Sequence, residues 1–341
     1  MIRRVGGMGL CVLLWGLVSV VPARSEKCTT QSQMNDQDRE ELAATARDIA
    51  AKVQGNDAAG LRSETISEFA GNFGPLQSLI GETAPKLAGG TLTVDQVYLL
   101  DAAQLKGTPG GSDAQFFCTL NRSVNEAEFL IPGLTAGVYG FAIVQVYGSN
   151  PWVVPMLLRR DGGRWLLAGI YPRAASAAGH DGLWYWREAR RLAAAKQRWN
   201  AWLFYEQAEA LLKPANFVQS THLQKLLDEQ RVAAPPALSG GIGRDVPLVV
   251  RGVDGREYQF TALGTDDALS KDKVDVSAHL RVDQIGESAA ARRRNEDAMR
   301  ALLAAYPELR GSFHGVWIVA EAAGNAASGP FATEQAMSDL R

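Results

Sequence analysis

Val153-Val154-Pro155-Met156-Leu157-Leu158-Arg159-Arg160-Asp161-Gly162-Gly163-Arg164-Trp165-Leu166-Leu167-Ala168-Gly169-Ile170-Tyr171 holds two apolar segments of strand length on either side of Asp161-Gly162-Gly163. Those turn residues tolerate the positive φ of a tight hairpin, so the stretch predicts two antiparallel strands, Val153 to Arg160 and Arg164 to Tyr171. Upstream, the segment containing Leu92, Val94, Tyr98 and Leu100, the Phe116 segment, Glu128 to Ile131 and Val138 to Tyr147 continue the strand-rich run. Gly137 to Val144 is apolar almost throughout, as in a strand covered on both faces. Before these strands the period is helical. Leu42, Ala46, Ile49, Ala50 and Val53 recur at helix spacing over residues 36 to 54, with Asn35 or Asp36 as cap and Gly55 as stop. Two shorter helices are expected around Ala58 to Ala70 and Leu76 to Leu87. The predicted class is α+β: helices, then a curved antiparallel sheet.

After Pro172 and a small-residue link, Ala174 to Gly179, the period turns helical again. Trp184, Tyr185, Trp186, Ala189 and Leu192 lead to Trp199, Ala201, Trp202, Tyr205, Ala208 and Leu212, stopped near Pro214. This predicts a helical hairpin whose Trp and Ala faces bury against a neighbouring domain, with a third helix around Ser220 to Glu229. Ala233-Ala234-Pro235-Pro236 and Ser239 to Gly243 read as a linker. Beyond it, Pro247 to Arg251 and Arg256 to Leu263 flank the turn Val253-Asp254-Gly255. Val274 to Val282 and Val316 to Ala320 are further strands around a helix from Glu287 to Tyr306. The expected organisation is a leader over 1–25, a first α+β domain over 26–173, a hairpin region over 180–232, a linker over 233–243 and a second small α+β domain over 244–341.

Helices followed by a curved sheet ending in Trp165 to Tyr171 resemble the nuclear transport factor 2-like fold, a cone whose sheet wraps a pocket. That resemblance implies either a pocket-bearing binding module or an isomerase or dehydratase, and fold alone does not choose between them. Ile131-Pro132-Gly133-Leu134 through Tyr139 is also similar to the turn and tyrosine strand of transthyretin-like sandwiches, but the three preceding helices argue against that fold. Ala189, Ala201, Tyr205 and Ala208 give residues 183–214 a resemblance to a single tetratricopeptide hairpin. Solenoids need about three such units, so an ordinary helix pair is the simpler reading.

Arg3 and Arg4 precede an uncharged run from Val5 to Val21, then small residues: an export signal cut after Ser25 or Ala23, with an uncleaved anchor as the alternative. A periplasmic or secreted location follows, with no stable membrane insertion after cleavage. In an oxidising compartment Cys28 and Cys118 are expected to pair. Alternation places Phe116, Cys118 and Leu120 on one inward face, which suits a structural cysteine. The formal net charge of −2 becomes more negative once Arg3, Arg4 and Arg24 leave with the leader. The chain therefore lacks the basic field of a nucleic-acid binder.

His180, His222, His279 and His314 show no compact metal spacing, and no nucleophile elbow, phosphate loop or dinucleotide fingerprint is present. No metal and no cofactor are expected. If the first domain carries a pocket, Glu126, Glu128, Tyr139 and Tyr147 are the polar groups on strands able to line it, and a carboxylate beside a phenol would serve proton transfer. Trp184, Trp186, Trp199 and Trp202 are either a packed interface or a surface for a ligand. The resulting expectation is a non-catalytic exported protein binding a protein or small-molecule partner. An isomerase- or lyase-type enzyme using the first domain is the alternative.

Overall fold

A computed structural model describes residues 26–105, 110–120, 124–322 and 329–340. The expected leader over 1–25 lies outside these residues. The fold is α+β. Its N-terminal unit comprises β1 (Glu26–Thr30), α1 (Asp36–Gln54), α2 (Ala58–Ser63), α3 (Ser67–Ala70), α4 (Gly74–Leu87), β2 (Thr91–Asp101), β3 (Ser112–Thr119), β4 (Glu126–Leu134), β5 (Val138–Tyr147), β6 (Trp152–Asp161), β7 (Arg164–Ile170) and the short β8 (Arg173–Ala174). The Asn35 side chain caps α1 as expected, accepting from the Asp38 amide at 2.8 Å. Gly162 and Gly163 join β6 to β7 with φ of 55° and 83°, the left-handed pair that a two-residue hairpin needs.

Strand order β4-β3-β1-β2-β5-β6-β7 shows that the N-terminal strand wedges between β2 and β3, antiparallel to the first and parallel to the second. This strand has no alternating pattern long enough to be read from sequence. Its placement brings Cys28 beside Cys118, and the two form a disulfide with Cα atoms 5.3 Å apart.

In a flat sheet β4 and β5, with three strands between them, would lie about 19 Å from each other. Instead the Phe129 and Phe141 ring centroids are 5.1 Å apart, and Tyr98 meets Phe129 at 5.2 Å. The sheet is therefore strongly curled. Phe116, Phe129, Phe141, Leu100 and Cys118 fill the inside of the curl, while Leu42, Ala46, Ile49 and Ile80 of the helices cover its other face.

The C-terminal unit begins with β9 (Ser176–Ala177) and β10 (His180–Asp181), followed by α5 (Gly182–Ala194), α6 (Arg198–Leu212), β11 (Val218–Ser220) and α7 (Thr221–Ala233). It continues through β12 (Leu248–Arg251), β13 (Glu257–Asp266), β14 (Asp275–Val282), α8 (Ser288–Ala305), α9 (Leu309–Ser312), β15 (Gly315–Ala322) and β16 (Phe331–Ala336). Strands β12 to β16 form one sheet in sequence order, with a parallel β14–β15 pair spanned by α8. The hairpin and this sheet share a continuous apolar core that includes Tyr185, Phe204, Phe260, Leu302 and Phe313. Leu238, within the expected linker, is buried in the same core.

Strands β11 and β16, like β1, escape sequence reading. Strand β16 carries polar residues on an edge. Strand β11 is three residues long and leaves the helical region to pair antiparallel with β4, Val218 opposite Phe129, so it extends the first sheet.

Candidate functional site at the junction of the two units

The polar strand residues of the first unit do not converge. Glu126 is exposed and Glu128 half-buried, on the opposite strand face from the buried Ala127 and Phe129. Gln115 donates to Glu128 at 2.5 Å. Tyr139 is buried, and its hydroxyl lies 2.8 Å from the Thr135 hydroxyl and donates to the Thr135 carbonyl at 3.0 Å. Tyr147 is exposed. The curl that would wrap a pocket is occupied by phenylalanine rings, so the carboxylate and phenol stand on different sides of the sheet.

The tryptophans are engaged with the protein itself. Trp186 is buried, donates from Nε1 to Glu229 at 2.8 Å and lies under the Arg190 guanidinium at 4.5 Å. Arg190 holds Glu229 below the usual carboxylate range. Trp184, half-buried, stacks on His180 at 3.6 Å with the rings nearly parallel, and Trp199 packs on Tyr306 at 4.1 Å. Trp202 is half-buried against the same core. Asp181 serves as the N-cap of α5, accepting from the Trp184 amide at 2.7 Å.

An unsatisfied polar group, Arg173, stands where the two units meet. A cleft of about 620 Å³ runs between the end of the first sheet, the C-terminal half of α6, the turn before β11 and the end of β13. That volume falls within the roughly 300–1,000 Å³ typical of small-molecule sites, which favour domain junctions. Arg173 comes from β8, held there by pairing with Val153. Its Nε is buried with no hydrogen-bond partner, and among the described residues its side chain has no ion pair. Burial pulls the guanidinium pKa down, only partly offset by Glu209.

Across the cleft the Thr265 hydroxyl donates to the Gln207 carbonyl oxygen, leaving both Gln207 amide protons for the cleft. Asp266 and Asp267 follow Thr265. Asp266 accepts from the Ala268 amide at 2.8 Å, and neither carboxylate has an ion pair among the described residues.

Behind Asp266 lies a second polar group of residues. Asp275 is fully buried and accepts from His314 Nδ1 at 3.0 Å, while its Oδ2 has no partner. Burial raises the Asp275 pKa despite His314, and Asp266 adds to the rise. Glu334 is raised too, by burial first and then by Asp275 and Asp266. A Cβ at Gly315 would stand 2.8 Å from Asp275 Oδ1 and 2.5 Å from a backbone carbonyl, so only glycine fits beside the buried carboxylate. The pairing can hold the imidazole in one tautomer, yet no Ser or Cys among the described residues bonds to it.

No group of ligand residues among the described ones is arranged to hold a metal ion, and none of their helices is long and apolar enough to cross a membrane. No family model, curated protein or solved structure matches the chain.

Sequence reasoning missed Arg173, Gln207, Thr265, Asp266 and Asp267. Arg173 belongs to no motif, and the cleft is assembled from segments far apart in the chain. The one legible signal is the polar Thr265-Asp266-Asp267 ending a strand whose inward residues are Tyr258, Phe260 and Leu263.

Proposed function

We propose that this chain is an exported, non-catalytic binding protein whose ligand occupies the junction cleft. The observation that carries the reading is Arg173, a side chain without an ion pair among the described residues, which lines a small-molecule-sized space and whose Nε is buried and unpartnered. Leaving a charge desolvated and unpaired costs stability, a cost that an incoming anionic group offsets. The Cys28–Cys118 disulfide supports an oxidising compartment, and with it a periplasmic or secreted location. The cleft is favoured over the tryptophan cluster because those rings already pack inside the protein and the Trp186 Nε1 is already bonded to Glu229.

Arg173→Met tests the reading. Removal of an unpaired charge is expected to raise the melting temperature of the unliganded protein by a few degrees, while stabilisation of the wild type by small carboxylates and inorganic phosphate disappears. A variant that is less stable than wild type, with anion responses unchanged, would overturn the assignment.

A further inference from the structure

We propose that the junction cleft binds a small zwitterion, with an anionic group against Arg173 and an ammonium group against Asp266 and Asp267. The proposal rests on the binding reading above and specifies the chemistry of its ligand. Arg173, Asp266 and Asp267 line one cleft, yet none has an ion pair among the described residues. In particular, the cation and the carboxylates do not neutralise each other. The charged group acting on Arg173 is Glu209, from the α6 side.

The carboxylate wall is genuinely electronegative. Asp266 repels Asp275 and Glu334 behind it, and the His314 imidazole is already bound to Asp275. A simple anion at Arg173 would leave that wall uncompensated, and a simple cation at the wall would leave Arg173 without a partner. One molecule bearing both charges satisfies both, and each attraction is strengthened by the partial exclusion of water.

The space between the charged ends is lined by apolar surface. Tyr171 and Phe217 pack edge to face at 5.1 Å, with Leu211 and Pro214 beside them, a setting for a carbon skeleton. The Gln207 amide supplies uncharged donors to a carbonyl or carboxylate oxygen. Both a short peptide and an aminoalkyl phosphate carry this chemistry.

Isothermal titration of the full chain with four probes separates the outcomes: glycyl-leucine, its N-acetylated form, its C-terminal amide, and phosphoethanolamine. Glycyl-leucine or phosphoethanolamine is expected to bind, whichever is tighter identifying a carboxylate or phosphate source, and each blocked peptide should bind at least tenfold more weakly than the free one. Arg173→Met should abolish zwitterion binding. Asp266→Asn/Asp267→Asn should weaken the free peptide about tenfold while leaving the N-acetylated form unchanged, and Asp267→Asn alone, at an exposed position, serves if the double variant does not fold. Equal binding of free and N-acetylated peptide would end the zwitterion proposal but leave the cleft as an anion site. If neither zwitterion binds at millimolar concentration the proposal falls, and the stability of Arg173→Met then judges the cleft reading separately.

Discussion

The two units solve the same problem, a mixed sheet with an apolar face, in opposite ways. The N-terminal sheet curls until its strands meet, so both faces are filled, one by Leu42, Ile49 and Ile80 and the other by Phe116, Phe129 and Phe141. The C-terminal sheet stays open. Val276, Ala278 and Leu280 alternate with Ser277, His279 and Arg281. The first set faces the core shared with α6 and α8, and the second lies on a half-exposed face where His279 bonds Glu321 at 2.9 Å. A sheet closed on its own aromatics has no interior left for chemistry. One polar group in need of a partner, Arg173, stands where the closed unit abuts the open one.

The sharpest way to separate the units is the disulfide, which belongs to the first alone. It closes a separation of 90 residues, for which the chain-entropy model gives up to roughly 4 to 5 kcal/mol. Reduction should lower the N-terminal transition by roughly 10 °C and leave the C-terminal one in place. Calorimetry with and without reductant reads this directly, and intact mass should shift by two hydrogen atoms. A joint shift of all unfolding would show the units to be one cooperative block.

Phe204→Ala acts on the other side. Phe204 is buried against Phe313 at 5.6 Å, and truncating a core aromatic costs about 3–5 kcal/mol. The half-buried Trp202 should cost less on truncation, about 1–3 kcal/mol. Denaturant melts followed by tryptophan fluorescence should show both losses in the C-terminal transition. A larger loss for Trp202 would mean that it, and not Phe204, anchors the hairpin.

Glu206 probes the seam by pH. Burial, with help from Glu209, holds its carboxyl at about 8 against an ordinary 4.5, and its Oε2 has no partner. The folded state thus binds a proton that the unfolded state releases. Its contribution is fully present below pH 4.5 and is lost as pH rises through 8. Glu206→Gln should remove that slope and stabilise the protein by about 2 kcal/mol at pH 8.5, after allowance for solvent screening. Parallel pH–stability curves for variant and wild type would refute it.

The smallest effects come from the helix caps, one in each unit. Asn35→Ala and Asp181→Ala each remove a side-chain acceptor from a helix amide and should cost about 1 kcal/mol, each confined to its own transition.

How much of this could be read beforehand follows from the range of the interactions. The β6–β7 hairpin and α1 were legible because Gly162-Gly163 and Asn35 act on neighbours within four residues. Cys28 and Cys118 were legible because only two cysteines follow the expected leader. By contrast, β1 and β11 are short segments whose partners lie far away, Phe116 for Glu26 and Phe129 for Val218, and nothing local marks them. The concavity expected around Glu128 and Tyr139 depended on curvature, and periodicity says which residues share a face without saying whether that face closes. Arg173 was invisible for the complementary reason: its significance is the lack of a partner, which no sequence pattern records.

Strand β11 has a consequence for the order of events during synthesis. The outer edge of β4 is completed by residues made roughly 50 positions after the rest of the first sheet has emerged, a delay of several seconds at ribosomal rates of about 5–20 residues per second. Throughout that interval a row of unpaired amides and carbonyls beside Phe129 stands open to any extended chain nearby. The nascent protein thus has a defined window of vulnerability that ends when Val218 arrives, and a gene truncated after codon 173 would make that window permanent.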